Sequence, residues 1–301
     1  MLIPVLAHVG RPVAPHDVWG AWNLDPPLLL GLFLISWAYW RGEVRSGRHE
    51  VDRRHGRCFF AALVAVVAAL ISPLDAMSHA LASAHMVQHV LLLLVAAPLL
   101  ALSSPAGALM RGSPMVVRRA TGPLRRRLGL TRARQDRLRH PAVVWALHVG
   151  TIWFWHAGVP YDTALRNEAV HVVEHVSFVV TGLLFWHVVL HVRRRVSGGL
   201  GVLLVFTMSL QSVFLSMLLT FASAPWYSGY ASSTRSWGLD PLGDQQLAGL
   251  IMWIPAGLVY LGAGLALLIG WIKASERDHG PYCPPGPRST KARDPWRAPT
   301  Q

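Results

Sequence analysis

The chain has 301 residues, of which 52% are hydrophobic and only 14% are charged. Soluble globular proteins carry about 25% charged residues, so this balance argues against an ordinary soluble enzyme. It also excludes a disordered chain, which needs little apolar content and much charge. The formal net charge of +13 fits either a nucleic acid or a membrane as partner. The positions of the basic residues decide between the two.

Seven apolar segments are candidate membrane helices, given that about 20 mostly apolar residues are needed to cross the hydrocarbon core. The first two are short and would need flanking residues. Glycine and proline inside several segments are more typical of membrane helices than of soluble ones. The predicted fold is an all-α membrane protein, a seven-transmembrane helix bundle. The predicted spans are residues 26–40, 58–71, 81–102, 141–157, 169–192, 199–222 and 245–272.

The basic residues fall almost entirely in alternate connecting segments. Of the 28 Lys and Arg residues, 25 lie in the first, third and fifth loops and in the tail. Cytoplasmic loops carry such an excess, so the N-terminus is predicted outside and the C-terminus in the cytoplasm. A lipid bilayer then explains the charge, and no nucleic-acid partner is needed. The predicted organisation is an outer segment at 1–25, a membrane domain at 26–272 and a disordered, proline-rich cytoplasmic tail at 273–301.

The 15 histidines are the most informative residues, because polar side chains inside a membrane are costly and usually functional. The third and fifth spans each carry two histidines four residues apart at the outer end, a spacing that places both rings on one helix face. Another histidine closes the outer end of the fourth span, and one lies in the short outer loop before the third. The six histidines predicted to converge at the outer face are His79, His85, His89, His156, His171 and His175.

This convergence predicts a metal site. Imidazole suits copper, zinc and iron, and two histidine pairs on neighbouring helices could offer three or four nitrogens to one ion. Glu174 lies next to His175 and is expected to orient a ring as an acceptor. Met86 offers a soft sulfur of the kind that reduced copper prefers. The aromatic residues expected in the interfacial belt are Trp153, Trp155, Trp226 and Tyr227.

Two alternatives stay open. A haem protein would use the inner pair His187 and His191 on the fifth span, with His148 on the fourth. Because the third span has no histidine on its inner half, the outer metal site is favoured. A purely structural role is the second alternative. The HVVEH string has only a five-residue likeness to a zinc-protease pattern, and no nucleotide or nucleophile motif is present, so no enzyme is predicted.

Three longer strings carry a family resemblance: HMVQHVLLLLVAAPLLALSSP (His85–Pro105), HVVEHVSFVVTGLLFWHVV (His171–Val189) and DQQLAGLIMWIPAGLVYL (Asp244–Leu261). Together they resemble the bacterial cytochrome c oxidase assembly factor of the CtaG type, the multi-span family linked to caa-type oxidases. The likeness extends over about Trp19–Ile272. It implies a multi-pass protein of the bacterial inner membrane that is needed to form active oxidase. It also implies copper delivery to the oxidase subunit that carries a copper centre.

The resemblance gives specific positions to the family motifs HMxxH, HxxEH and DQQ. The inner pair on the fifth span departs from these motifs and receives no role from them. The matched residues are His85, Met86 and His89; His171, Glu174 and His175; and Asp244, Gln245 and Gln246.

The combined hypothesis is a copper-binding assembly factor rather than an enzyme. The two histidine pairs of the third and fifth spans are the expected first ligands, while His156 and His79 would assist ion exchange. Asp244 is expected either to attract the cation or to hold the helix ends. Zinc and haem iron remain alternatives to copper.

Overall fold

The computed structural model describes residues 13–46, 51–127, 129, 131–191 and 198–278. None of these ranges contains a strand, so the all-α prediction is confirmed for the described part of the chain. The predicted outer segment is described from Val13 onward. Residues 279–301 of the predicted tail lie outside the described residues, while residues 273–278 continue the last helix.

Helices account for most of the described residues. Short 3-10 turns occur in the connecting segments, the longest being Thr234–Trp237. The helices are α1 (Pro26–Val44), α2 (Val51–Leu70), α3 (Pro73–Ser78), α4 (Ala82–Ser103), α5 (Ala106–Gly112), α6 (Met115–Arg127), α7 (Arg132–Leu138), α8 (Pro141–His156), α9 (Gly158–Arg166), α10 (Glu168–His191), α11 (Gly198–Thr220) and α12 (Pro241–Asp278).

Four helices, α4, α10, α11 and α12, are long and apolar enough to cross a membrane. A fifth candidate span consists of α8 and α9 together, which are bent by 71° at a short break after His156. α1 and α2, with 19 and 20 residues, occupy the first two predicted spans. The described residues therefore form a multi-helix membrane protein with four or five candidate spans. The count of seven and the orientation stay predictions.

Apolar side chains cover the outside of the long helices. Phe206 and Phe214 on α11 and Leu258 on α12 are each more than half exposed. A large exposed apolar surface is unfavourable in water and is typical of a face that contacts another apolar phase. We expect these faces to contact the lipid acyl chains.

The position of α4 is central, because this helix packs against α2, α3, α10 and α12. Its first turn is anchored by Asp244 of α12. The Asp244 carboxylate accepts hydrogen bonds from the backbone N–H groups of Ala82 (2.6 Å) and Ser83 (3.2 Å) and from the Ser83 hydroxyl (2.5 Å). It thereby pairs N–H groups that have no partner within the helix. Its negative charge also stabilises the positive, N-terminal end of the helix dipole. Asp244 thus fixes where α4 begins relative to α12.

A wide π-helical turn follows the two histidines of α4, at Leu91–Ala96. Here the Ala97 N–H bonds to the carbonyl of Leu92, five residues back. Pro98 has no N–H, so the next carbonyl, that of Leu93, cannot be paired in the same way. The indole Nε1–H of Trp186 on α10 donates to this carbonyl at 3.1 Å. The irregular turn therefore ties α4 to α10, and such turns are frequent at functional sites.

Trp186→Phe tests this link. We expect the free energy of unfolding to fall by about 1–3 kcal/mol, because the buried Leu93 carbonyl loses its hydrogen bond. The measurement is the thermal unfolding midpoint of the purified protein in detergent. Trp145→Phe is the matched control, since the Trp145 indole nitrogen has no hydrogen-bond partner among the described residues. Equal losses in both variants would contradict this account of the turn.

Candidate metal centre

The histidines of α4 and α10 meet in the interior near the N-terminal ends of both helices, beside the C-terminal end of α8. The ring centroids of His85 and His171 lie 5.2 Å apart, and those of His89 and His175 lie 5.6 Å apart. His156 on α8 is next to His89, with 5.7 Å between centroids. All five rings are buried. The structure therefore brings the two pairs and His156 close to one another.

The tightest group consists of His85, His171, Glu174 and His175. Each of these residues offers one ligand atom, and the four atoms all lie within 4.8 Å of one another. Residues 171, 174 and 175 share one face of α10 because they are three and four positions apart. His85 faces them from α4. Three imidazoles and one carboxylate are a donor set that could hold a transition-metal ion.

Glu174 is closer to the rings than a purely orienting role would require. Its Oε2 is 3.8 Å from His85 Nε2, and its Oε1 is 3.6 Å from His89 Nε2. These separations exceed a hydrogen bond. They do match the spacing of two ligands that flank one ion, since metal–nitrogen and metal–oxygen bonds are each about 2.0–2.2 Å. The structure thus places the carboxylate among the donor atoms rather than behind one ring.

Hydrogen bonds fix which ring nitrogen faces the group. His156 Nδ1 is 2.7 Å from the Ile152 carbonyl, which can only accept, so Nδ1 carries the proton and Nε2 has a free lone pair. The Tyr230 hydroxyl donates its proton to the Ser78 carbonyl at 2.8 Å. It must therefore accept from His85 Nδ1, which is 3.2 Å away. The Nε2 of His85 is again left with its lone pair, as a metal ligand requires.

Buried nitrogen and oxygen atoms without a hydrogen-bond partner are concentrated in this part of the structure. Buried polar atoms are nearly always hydrogen-bonded, because an unpaired one costs about 1–3 kcal/mol. A local excess of unpaired atoms therefore indicates a site for a ligand. Among the described residues, the buried donor atoms without a hydrogen-bond partner include His85 Nε2, His89 Nδ1 and Nε2, His156 Nε2, His171 Nε2, His175 Nε2 and both carboxylate oxygens of Glu174.

His79 lies at the edge of the group. It is exposed, and its ring centroid is 5.1 Å from that of buried His171. It lies directly after α3, in the turn that leads into α4. His79 is therefore placed between the surface and the buried ring of His171.

Three tyrosines form the wall of the site, although no local pattern in the sequence predicts that they meet. Tyr161 of α9 stacks on Tyr227 with 3.8 Å between centroids, and its hydroxyl is 3.2 Å from that of Tyr230. The Tyr227 hydroxyl donates to the His156 carbonyl at 3.1 Å. Burial raises the pKa of Tyr227 and of Tyr230, so both stay protonated donors. Tyr227 is buried in the protein interior and Trp226 is 40% exposed, and the interfacial belt expected for both stays a prediction.

The three residues of the DQQ motif connect α12 to neighbouring segments. The Asp244 carboxylate accepts hydrogen bonds from the start of α4, which corresponds to the expected role of holding the helix ends. Gln245 Oε1 accepts from the Trp226 N–H at 2.6 Å, and Gln246 Nε2 donates to the Ala222 carbonyl at 3.2 Å. Both glutamines therefore fix the loop that carries Tyr227 and Tyr230 onto α12.

The histidines that a haem would use do not form a buried cluster like that of His85, His171 and His175 among the described residues. His148 is buried and stacks on Phe185, and its Nδ1 lies 3.0 Å from Thr181 Oγ1. His187 is exposed, and the side chain of His191 lies outside what the structure describes. The described residues thus bring together the outer histidines and leave His187 apart from them.

These features define a class: a multi-helix membrane protein with a buried group of histidines and one glutamate suited to a metal ion. Comparison with known proteins agrees. The model of the cytochrome c oxidase caa3 assembly factor family (Caa3_CtaG) matches residues 36–274. The chain belongs to this family, and the resemblance seen in the sequence is confirmed.

Two curated relatives are similar to this chain: the uncharacterized protein Mb0105 of Mycobacterium bovis and the uncharacterized protein MT0111 of Mycobacterium tuberculosis. Each is 27% identical over 218 residues, which is 68% of this chain and 32% of the relative. The chain thus spans about a third of the length of these relatives. No solved structure matches it.

Tyr230→Phe tests the support of His85. Removing the hydroxyl leaves His85 Nδ1 without its acceptor, so the ring loses its fixed orientation. We expect metal affinity to fall by about 10–100-fold, the usual cost of losing such a partner. Affinity is measured by competition with a chromophoric chelator. Tyr161→Phe is the matched control, because it leaves the Tyr230 hydroxyl in place, and a similar loss in both variants would argue against the link.

Proposed function

We propose that this chain is a membrane assembly factor that binds copper at His85, His171, Glu174 and His175 and passes it to the oxidase subunit that carries a copper centre. The observation that carries the proposal is the convergence of unpaired, buried donor atoms from α4 and α10. Membership of the oxidase assembly factor family supports the oxidase as the recipient of the ion. Copper is the cargo of this reaction, and no bond-making turnover is required.

The chemistry of the donor set supports a transition metal and is compatible with copper or zinc. Imidazole nitrogens bind both ions well, and one carboxylate offsets part of the charge of a divalent ion in a buried place. Copper binds such sites more tightly than zinc. Copper is therefore the proposed cargo, because it fits the ligand atoms of the group and is the ion whose delivery the family resemblance implies.

A transfer protein must release its ion as well as bind it. Exposed His79 provides a step between the surface and buried His171, since the two rings are in contact distance. An ion could change ligands one at a time along such a row, without ever losing all of its donors. His89 and His156 continue the row on the inner side of the group. This arrangement favours exchange over permanent storage.

Replacement of the central donors tests the proposed function. For Glu174→Gln combined with His175→Ala, we expect the affinity of this group for Cu(II), measured on the purified protein in detergent, to fall at least about tenfold. The amount of copper centre in the oxidase of the same membranes should fall as well. His187→Ala is the matched control, because it removes an exposed histidine from the same helix.

The alternatives predict different results in the same material. A haem protein would show a Soret band that disappears in the double variant. A metal-free scaffold would hold no copper, and the double variant would still support the oxidase. Either result would overturn the proposed function.

The proposal includes seven spans, an outward-facing site and a cytoplasmic C-terminus. The alternation of basic loops supports this orientation. In a chain whose Cys58 and Cys283 are changed to serine, Ser232→Cys should react with an impermeant maleimide in intact spheroplasts. Lys273→Cys should react only after the membrane is permeabilised. Both positions are exposed in the structure, so the reverse pattern of labelling would show the opposite orientation.

A further inference from the structure

A cavity lies next to the histidine and glutamate group, on the inner side of His89. Its volume is about 30 Å³, enough for a small ion or a water molecule. His89 and His156 line it, and so do the two methionines Met86 on α4 and Met252 on α12. Both methionines are buried. The cavity therefore brings imidazole and thioether donors from three different helices to one place.

The polar atoms of this cavity are not used by the surrounding protein. Neither ring nitrogen of His89 has a hydrogen-bond partner among the described residues, and the same is true of His156 Nε2. The proton of His156 is committed to the Ile152 carbonyl, so Nε2 offers a lone pair. Both side chains are at least nine-tenths buried. These are free, preformed donors rather than parts of a packing network.

The charge of the cavity distinguishes it from the neighbouring group. No carboxylate lines it, and its remaining walls are formed mainly by apolar residues such as Leu93 and Ala256. The cost of burying an ion rises with the square of its charge, so neutral donors in apolar surroundings favour a monovalent cation. Thioether sulfur is a soft ligand that selects Cu(I). The neighbouring group contains Glu174 and suits a divalent ion better.

We propose that this cavity is a second metal site, which binds Cu(I) through His89, His156, Met86 and Met252. The inference extends the proposed function, from which it takes copper as the cargo. His89 links the two sites, because it lines the cavity while its Nε2 lies 3.6 Å from Glu174 Oε1. An ion could therefore pass between the sites without leaving the helix bundle.

The test is a Cu(I) titration of the purified full chain in detergent, without oxygen, against a chromophoric Cu(I) chelator. X-ray absorption at the copper edge then reports whether sulfur is bound. We expect the wild-type chain to bind two Cu(I) ions, one tightly with sulfur ligands and one more weakly at the group of Glu174. Met86→Leu combined with Met252→Leu keeps the size and apolar character of both residues. This variant should bind one ion and show no sulfur.

Met208→Leu is the matched control, because Met208 is equally buried on α11 but does not line the cavity. It should bind copper as the wild type does. His171→Ala combined with Glu174→Gln disrupts only the neighbouring group, so the sulfur-bound ion should remain. Unchanged binding in the double methionine variant, or a wild-type spectrum without sulfur, overturns the second site.

The second site and the proposed function can fail separately. If the oxidase does not depend on His171 and Glu174 but the sulfur-bound ion is present, the delivery role is wrong and the cavity site stands. If copper binds at the group of Glu174 and no sulfur is detected, the cavity site is wrong and the delivery role is unaffected.

Discussion

The structure depends above all on holding several unpaired lone pairs together in the buried interior. The free nitrogens of His85, His171 and His175 and both oxygens of Glu174 point into the same small volume. Each of these atoms lowers the free energy of unfolding if it stays without a partner. Together they destabilise the fold more than buried apolar side chains at the same positions would. A fold that keeps such atoms together must be stabilised elsewhere, and it gains that energy back only when a ligand binds.

The surrounding hydrogen bonds hold the donors in that state. The Tyr230 hydroxyl oxygen and the Ile152 carbonyl accept hydrogen bonds from the Nδ1–H groups of His85 and His156. The opposite nitrogen, Nε2, of each ring therefore keeps its lone pair, and neither has a hydrogen-bond partner among the described residues. Asp244 fixes the start of α4, and Trp186 compensates for the carbonyl that Pro98 leaves free. The residues outside the donor group therefore act by restricting rotation, and their loss would loosen the site without removing any ligand.

Two chemically different environments lie side by side along α4. One contains a carboxylate and three imidazoles, and the other contains thioethers, imidazoles and apolar walls. Hard and soft donors prefer different oxidation states of copper, so the boundary between them falls at His89. The four-residue step from His85 to His89 is long enough to reach from one environment into the other, since it covers about one helical turn.

The sequence by itself determined the helical class, the apolar segments and the shared faces of the histidine pairs, because these follow from local spacing along one helix. It also gave the family, since three motifs are matched together. Only the tertiary structure decided that Glu174 stands among the donors, since this depends on how α4 and α10 are rotated against each other. Tyr230 contacts His85 from 145 residues away in the chain, and Met252 reaches the cavity from α12. Local periodicity carries no information about such long-range contacts, which arise only when the helices pack.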